Sequence, residues 1–328
     1  MKNYLENKNM KLSFVIPVLD EADSINTLYD EILMNISEYE YEIIFIDDGS
    51  VDNSYQVMKN LSEKDKFVKL IKFRRNFGKS AALNVGFQHA TGDIIFTMDA
   101  DLQDDPSEIP NFIQKLLSHV HFLNSGKSWD MVTGWKKKRK DPISKRLPSI
   151  LFNKVVSFVF SIKLMDHNSG FKAYKNHVIK ELDIYGEMHR YIPALAIAKG
   201  FFVAEIPVNH RVRVHGKSKF GSERYLRGYL DLLTVKLVTT FNRSPLYLFG
   251  GIGTLLTSTG FLIGLYLTVL RLSKQIYLSN RPLLFLCMLL IIVGLQFFSI
   301  GLIGELLVNQ SRKLNKNDVV SVEEKVNI

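Results

Sequence analysis

Residues 42–50 read EIIFIDDGS and residues 94–101 read IIFTMDAD. In both stretches an apolar run rich in isoleucine and phenylalanine is followed closely by two aspartates. Short apolar runs that end in Asp, Gly or Ser are typical of buried strands followed by turns. The sequence therefore predicts strands at 42–46 and 94–98, each with carboxylates at its carboxyl end.

The surrounding sequence repeats this alternation. Residues 12–18 and 69–73 are two further apolar runs, and a helical pattern with capping residues at 20–24 follows the first of them. Strands that alternate with helices favour a mostly parallel sheet. Ligands of such sheets bind beyond the carboxyl ends of the strands, and four acidic residues are expected there: Asp47, Asp48, Asp99 and Asp101.

Four carboxylates at one sheet edge repel one another unless positive charge lies among them. A divalent metal or a ligand rich in hydrogen-bond donors is the economical explanation, and hard oxygen ligands suit Mg²⁺ or Mn²⁺. Asp99 and Asp101 have alternate spacing, so both can point the same way in an extended segment. Either acidic stretch can instead be an ordinary strand-ending turn, and the residues alone leave both interpretations open.

The composition is that of a globular protein. The chain has 328 residues, of which 46% are hydrophobic and 23% charged, and this excludes intrinsic disorder, collagen and a disulfide scaffold. Its length predicts about two domains. The single cysteine, Cys287, excludes a Cys-rich metal site and fits a reducing compartment. The formal net charge of +9 leaves nucleic acid, an anionic membrane or a phosphate-rich ligand as partners.

Two long stretches near the C-terminus, 246–270 and 283–304, carry no charged residue. Each exceeds the roughly 18–20 apolar residues that cross a bilayer, so we expect two transmembrane helices joined by a short loop. Buried helices of a soluble core are the alternative. Lysines and arginines favour cytoplasmic termini, because the outer flanks carry Arg224, Arg227, Lys236, Arg243, Arg312, Lys313 and Lys316, whereas the loop carries Arg271, Lys274 and Arg281.

An ordered set of motifs resembles the family 2 glycosyltransferases with the GT-A fold. The set consists of FVIPVLDE at 14–21, IDDGSVD at 46–52, RNFGK at 75–79 and MDADLQD at 98–104. Three later motifs look like the polyprenyl-phosphate branch of that family: NSGFK at 168–172, RYIPAL at 190–195 and GKSKF at 216–220. That branch includes dolichyl-phosphate mannosyltransferases and bactoprenol glucosyltransferases. Asp20 departs from the family pattern, which usually has Asn there.

The resemblance covers about residues 11–310 and implies an α/β fold of the GT-A, Rossmann-like type. We expect a mostly parallel sheet with helices on both faces, followed by two C-terminal transmembrane helices. The implied segments are an N-terminal extension (1–10), a catalytic domain (11–221), a juxtamembrane amphipathic helix (222–244), a two-helix anchor (245–310) and a cytoplasmic tail (311–328).

The resemblance also implies roles for individual residues. The nucleotide-sugar would be bound by Pro17, Glu21, Asp47, Asp48, Lys79, Asp99, Arg213, Ser218 and Lys219. Mg²⁺ or Mn²⁺ would be held by Asp99, Asp101 and Gln103. The acceptor phosphate would be held by Arg139, Lys145, Arg146 and Ser169. The catalytic residues would be Asp99, Asp101 and Asp166, although Asp166 can equally be a loop or helix-capping residue.

These roles describe a membrane-anchored, inverting transfer of a hexose from a nucleotide-sugar such as UDP-glucose to undecaprenyl phosphate, giving a lipid-linked donor for cell-envelope glycans. A phosphate monoester has a second pKa of about 6, so the acceptor needs no strong base. The basic stretch at 136–140 would supply cations for the meeting anions. The expected partners are the donor, the lipid and the membrane. The resemblance also allows a second copy of the chain and a small membrane flippase; nucleic acid is not expected.

Other functions remain open on the sequence. A GDP-mannose-dependent polyprenyl-phosphate mannosyltransferase would carry similar motifs, since the sugar is not readable. A processive polysaccharide synthase usually carries a QxxRW motif, which this sequence lacks. A basic membrane-anchored binding protein without catalysis is an alternative of another class. A channel or transporter is disfavoured, because Glu305, at a helix end, offers little of a polar pathway.

Overall fold

The structure is a computed structural model that describes residues 10–120, 127–137, 153–157, 160, 162, 164–211, 235, 245–274 and 282–314. The chain divides into two compact units, Met1–Val235 and Lys236–Ile328. The predicted segments 1–10, 222–244 and 311–328 lie wholly or largely outside the described residues, so the five-part division of the chain stays a prediction.

A seven-stranded sheet forms the centre of the first unit. Its strands are β1 (Lys11–Val18), β2 (Glu40–Asp47), β3 (Val68–Lys72), β4 (Ile94–Thr97), β5 (Met131–Trp135), β6 (Lys172–Lys175) and β7 (Val203–Pro207). The spatial order is β3-β2-β1-β4-β6-β5-β7. The first four strands are parallel, β6 runs antiparallel to β4 and β5, and β5 runs parallel to β7. The predicted mostly parallel sheet is therefore confirmed.

Helices cover both faces of this sheet. They are α1 (Ala22–Asn35), α2 (Ser54–Lys64), α3 (Lys79–His89), α4 (Ile109–Leu117), α5 (Asn176–Glu181) and α6 (Ile192–Ala198), with short 3₁₀ turns at Pro106–Glu108 and Met188–Tyr191. Successive residues of a strand face opposite sides. Phe14 accordingly packs in one buried cluster with α1 and α4, whereas its neighbour Val15 packs in another with α3 and α6.

The acidic segments meet at one edge of the sheet, as predicted. β1 and β2 end together, with Val18 opposite Asp47. β4 ends at Thr97, opposite Val15, so Asp99 and the residues after it continue past the same edge. The carboxyl ends of three adjacent parallel strands thus place the two acidic turns side by side.

The second unit consists of two long helices in its described part, α7 (Pro245–Lys274) and α8 (Pro282–Leu314). Within them, Pro245–Ser273 and Pro282–Val308 are long and apolar enough to cross a membrane, and most of their residues are exposed. Glycines allow the two helices to approach closely. A side chain at Gly253 would lie 2.6 Å from the carbonyl oxygen of Gly294, and the Cys287 thiol donates to the carbonyl of Gly260 at 3.1 Å.

Candidate active site

The turn after β2 is organised by its own carboxylates. Asp47 is fully buried, and its Oδ1 accepts from the backbone N–H of Ser50 at 2.8 Å. Asp48 accepts from the backbone N–H groups of Phe77 at 2.7 Å and Gly78 at 3.0 Å. Burial raises the pKa of the Asp48 carboxyl, and the nearby Asp47 adds to the rise, whereas the hydrogen bonds from the two amides lower it. The side chain of Asp47 therefore stabilises the turn itself, whereas that of Asp48 holds the loop before α3.

Position 49 requires a glycine because the loop at 75–78 lies close to it. Its φ is +80°, a backbone region that favours glycine. A Cβ at position 49 would also lie 2.6 Å from the backbone of Arg75 and Asn76. The turn at 47–50 and the loop at 75–78 are therefore packed backbone against backbone.

The loop after β1 joins the same edge. The N–H of Asp20 donates to Ser50 Oγ at 3.0 Å, and the N–H of Glu21 donates to Ser54 Oγ at 2.8 Å. Pro17, near the end of β1, is opposite Ile46 and half-buried. The structure thus brings Pro17 and Glu21 close to the 47–50 turn.

Asp99 is held between a lysine and a glycine. The Lys79 ammonium, in the first turn of α3, donates to Asp99 Oδ1 in an ion pair. On the other side, a Cβ at Gly170 would lie 2.5 Å from Asp99 Oδ2. Lys79 and Asp99 remain 28% and 35% exposed, so the pair faces the open edge of the sheet.

The charge of Asp99 is fixed by its surroundings. Burial raises the pKa of this carboxyl, but Lys79, Lys136 and Lys172 outweigh that effect and hold it well below its ordinary value. Asp99 is therefore ionised at neutral pH, the state in which a carboxylate binds a divalent metal ion.

Asp101 and Gln103 follow in a tight turn. Asp101 Oδ1 accepts from the backbone N–H of Gln103 at 3.1 Å, and Leu102 between them has a φ of +60°. The Gln103 carbonyl accepts from the N–H of Arg211 at 3.0 Å. The described residues form no group of three His, Cys, Asp or Glu side chains that could hold a metal. Two carboxylates nevertheless fit Mg²⁺, which usually takes its other ligands from water and substrate phosphates.

A buried charge cluster lies behind Asp99, and the sequence did not predict it. It consists of Asp104, Lys136, Asp166 and Lys172, with an ion pair of 3.0 Å between Lys136 and Asp104. Lys172 donates to the carbonyl of Ser169. Burial and the nearby Lys79 lower the pKa of Lys172 to about 7, although the carboxylates of Asp99, Asp166 and Asp104 act to raise it. Lys136, expected among the cations for the acceptor, instead faces Asp104.

The loop before β6 contains the remaining described site residues. The N–H of Asp166 donates to Glu205 Oε1 at 2.8 Å, and its Oδ1 accepts from the N–H of Asn168 at 3.2 Å. Asp166 is thus the loop aspartate that the sequence left open as an alternative, since no helix begins at 166–169. Ser169 is buried, and its Oγ has no hydrogen-bond partner among the described residues. Lys172, which belongs to the same motif, was not predicted as a site residue. A lysine inside the apolar stretch at 171–174 is the feature of the sequence that could have indicated it.

Six expected site residues lie outside the described residues. Three were assigned to the donor phosphates: Arg213, Ser218 and Lys219. Three were assigned to the acceptor phosphate: Arg139, Lys145 and Arg146. Their roles therefore stay predictions, as does the assignment of the described site residues to particular ligands.

Comparisons with known proteins identify the family of the chain. The sequence model of glycosyl transferase family 2 matches residues 13–183. The chain is 31% identical over 306 residues to dodecaprenyl-phosphate galacturonate synthase of Rhizobium johnstonii, covering 92% of this chain and 88% of that protein. It is 35% identical over 305 residues to undecaprenyl-phosphate 4-deoxy-4-formamido-L-arabinose transferase of Shewanella sediminis, covering 91% of this chain and 88% of that protein.

A solved structure shares the fold. Glucosyl-3-phosphoglycerate synthase from Mycobacterium tuberculosis, solved with Mn²⁺, UDP and phosphoglyceric acid, superimposes with a TM-score of 0.56 and 18% identity, covering 73% of this chain and 82% of that chain. At this identity the likeness concerns the fold alone. Together with the sheet order and the family match, it confirms the predicted GT-A fold.

Proposed function

The chain belongs to glycosyl transferase family 2, and from that membership we propose that it transfers a sugar from a nucleotide-sugar to undecaprenyl phosphate or a similar polyprenyl phosphate. The names of two relatives, matched over 92% and 91% of this chain, describe polyprenyl-phosphate sugar transfer. The observation that carries the proposal is the ion pair of Asp99 with Lys79 at the carboxyl edge of the sheet. This edge is where ligands of such sheets bind.

The donor side of the site is built around the ends of β1 and β2. Pro17, Glu21 and Asp48 are assigned to the base and ribose, and Asp47 to nucleotide-sugar binding in general. Asp47 is fully buried, and its Oδ2 has no hydrogen-bond partner among the described residues. Asp48 positions the loop that leads to Lys79. Arg213, Ser218 and Lys219 are assigned to the donor's phosphates.

Asp99 and Asp101 are the residues that would hold Mg²⁺ or Mn²⁺, with Gln103 as a further ligand. When bound, a divalent ion would act as a Lewis acid that neutralises the charge of the leaving diphosphate. Lys79 places a second positive charge at the same point. The chain's own contribution is therefore to gather positive charge where the diphosphate leaves.

The acceptor side needs positioning more than proton removal. A phosphate oxygen of the lipid forms the new bond to the anomeric carbon while the bond from that carbon to the diphosphate breaks, and in-line attack inverts the anomeric centre. The phosphate is already ionised, so Asp166 orders the 166–169 loop rather than removing a proton. Ser169, Arg139, Lys145 and Arg146 are assigned to hold the phosphate.

UDP is proposed as the nucleotide and glucose or a similar hexose as the sugar. The two-helix C-terminal arrangement, which resembles the bactoprenol type, supports this choice. Galacturonate and 4-deoxy-4-formamido-L-arabinose appear in the names of relatives, so the test includes both sugars. A second copy of the chain and a small membrane flippase remain predicted partners.

The test incubates the purified full chain with undecaprenyl phosphate and labelled UDP- and GDP-sugars, with Mg²⁺, with Mn²⁺ and with neither. We expect labelled lipid from one UDP-sugar, formed only with a divalent ion. Asp101→Asn should lower the rate at least about 100-fold, the order of magnitude for removing one electrostatic group at a reacting centre. The matched control is Asp183→Asn, at an exposed position. No labelled lipid with any donor would contradict the proposal. Labelling only from GDP-mannose would show that the donor carries GDP and not UDP.

A further inference from the structure

The ion pair between Lys79 and Asp99 occupies the carboxylate that a metal would need. Asp99 Oδ2 lies against Gly170, where even a Cβ would come within 2.5 Å. Oδ1 is the oxygen that accepts from Lys79. A cation that approaches Asp99 from the open edge therefore meets an oxygen already paired with an ammonium group.

The backbone of Lys79 is anchored, and only its side chain can leave. The two residues before it donate their N–H groups to Asp48, and the N–H of Ala82 donates to the carbonyl of Gly78 at 3.2 Å. The Lys79 side chain is 28% exposed and ends in a flexible stem with rotatable donors. It can therefore swing from Asp99 to another anion without moving α3.

The other two lysines around Asp99 lack this freedom. Lys136 is 14% exposed and faces the buried Asp104 at 3.0 Å. Lys172 is 3% exposed and donates to the Ser169 carbonyl. Moving either lysine would leave a buried charge or a buried carbonyl without its partner, which is unfavourable. Of the three lysines, Lys79 is therefore the one whose side chain can move.

We propose that Lys79 is a counter-ion switch for the metal site: it neutralises Asp99 while no donor is bound and moves to the donor's diphosphate when a divalent ion arrives with the nucleotide. The proposal rests on the proposed function, because it needs a metal at Asp99 and a diphosphate beside it. Metal alone has to compete with Lys79. The diphosphate gives Lys79 another partner and frees Asp99, so metal and nucleotide bind cooperatively, and linkage requires the effect to be reciprocal.

The test measures Mn²⁺ binding to the detergent-solubilised full chain by electron paramagnetic resonance, without nucleotide and with UDP. The same Mn²⁺–UDP mixtures without protein correct for chelation in solution. For the unaltered chain we expect UDP to tighten Mn²⁺ binding about tenfold or more, within the usual range of coupling between sites. Lys79→Gln should bind Mn²⁺ alone about tenfold more tightly than the unaltered chain, and UDP should add less than about threefold.

Two further variants separate the switch from a general charge effect. Lys79→Arg retains the positive charge and should retain most of the coupling. Lys180→Gln, at an exposed position of α5, should bind Mn²⁺ as the unaltered chain does. Thermal unfolding of each variant checks that it is folded, and Lys79→Met, which keeps the stem length, replaces Lys79→Gln if that variant does not fold.

The outcomes distinguish the switch from the proposed function. If the unaltered chain binds Mn²⁺ with UDP but Lys79→Gln binds Mn²⁺ alone no more tightly than the unaltered chain, the switch is wrong and the proposed metal site stands. If the unaltered chain binds no Mn²⁺ in either condition, the metal assignment is wrong and the switch with it. Tighter binding of Mn²⁺ alone together with lost coupling in Lys79→Gln supports both.

Discussion

Gly170 determines where the Asp99 carboxylate can lie. The Gly170 carbonyl accepts from the Thr97 hydroxyl at 2.9 Å, so this part of the backbone is tied to β4. A Cβ at position 170 would come 2.5 Å from Asp99 Oδ2. The carboxylate packs into the space that a side chain would take, and its direction depends on the absence of that side chain.

Gly170→Ala should therefore turn Asp99 away from its present position. We expect sugar transfer and Mn²⁺ affinity in the presence of UDP to fall about 10- to 100-fold, as when the surroundings of a metal ligand are altered. The control is Gly251→Ala, because a Cβ there meets nothing within 4 Å. Unchanged transfer and unchanged Mn²⁺ affinity in Gly170→Ala would show that Asp99 is not required in this orientation.

The sequence predicted the acidic residues of the site better than their partners. Asp99 and Asp101 were found because they directly follow an apolar strand. The partners of Asp48 and Asp99 come from distant segments: Phe77 is 29 positions from Asp48, and Lys79 is 20 positions from Asp99. The pairing of Lys136 with Asp104 joins residues that are 32 positions apart, and no local pattern indicates it.

A buried glutamate joins neighbouring strands at the end of the sheet opposite to the candidate site. Glu42 of β2 is 2% exposed and accepts from Lys69 of β3 at 2.5 Å. It also accepts from the hydroxyl of Ser13 in β1 at 2.6 Å and from the N–H of Thr91, before β4, at 2.7 Å. Burial raises the pKa of Glu42, but Lys69, Ser13 and Thr91 outweigh it and bring the pKa to about 2.

This depressed pKa predicts a loss of stability in acid. Because the folded value of about 2 lies below the ordinary value of 4.5, the contribution is fully present above pH 4.5 and is lost as the pH falls towards 2. Glu42→Gln should lower the free energy of unfolding at pH 7 by about 3 kcal/mol, at 1.36 kcal/mol for each pKa unit, and flatten its acid dependence.

Urea unfolding of the detergent-solubilised chain at pH 7 and pH 3 measures this effect. The matched control is Glu63→Gln, since Glu63 is 64% exposed and lies 3.9 Å from Lys59 one helical turn away. Such surface pairs contribute little, so this variant should unfold like the unaltered chain. Equal pH dependence in Glu42→Gln and the unaltered chain would contradict the assignment of the acid sensitivity to Glu42.

Strands were predictable where the sequence carries a local apolar run. The four predicted strands all occur, and their observed bounds differ by a residue or two. β5, β6 and β7 are as short as the predicted β3 and β4, but polar residues or glycine interrupt their sequences, which read MVTGW, KAYK and VAEIP. The antiparallel β6 pairs with β4 across about 80 positions of sequence, so its place between β4 and β5 is decided by tertiary packing.

At the scale of the whole molecule, the two units differ in what they expose. The first unit buries its apolar side chains in clusters on the two faces of the sheet. In the second unit, large apolar side chains along both helices are exposed, among them Leu255, Phe261, Phe285 and Leu306. Exposed apolar surface on this scale indicates a membrane or a partner, and the lengths of the two spans fit a bilayer. A membrane would bring the catalytic unit close to a lipid acceptor.

The orientation across the membrane can be tested with the single native cysteine as the background. Cys287 is 6% exposed, so an impermeant maleimide should label the unaltered chain only weakly. If the termini are cytoplasmic, Ser279→Cys in the connecting loop should be labelled in intact spheroplasts, whereas Ser321→Cys in the tail should be labelled only after lysis. The reverse pattern would place the catalytic unit outside the cytoplasm, where nucleotide-sugars are not supplied. Labelling of both variants only after lysis would contradict two spans, because a loop between two crossing helices has to lie on the far side.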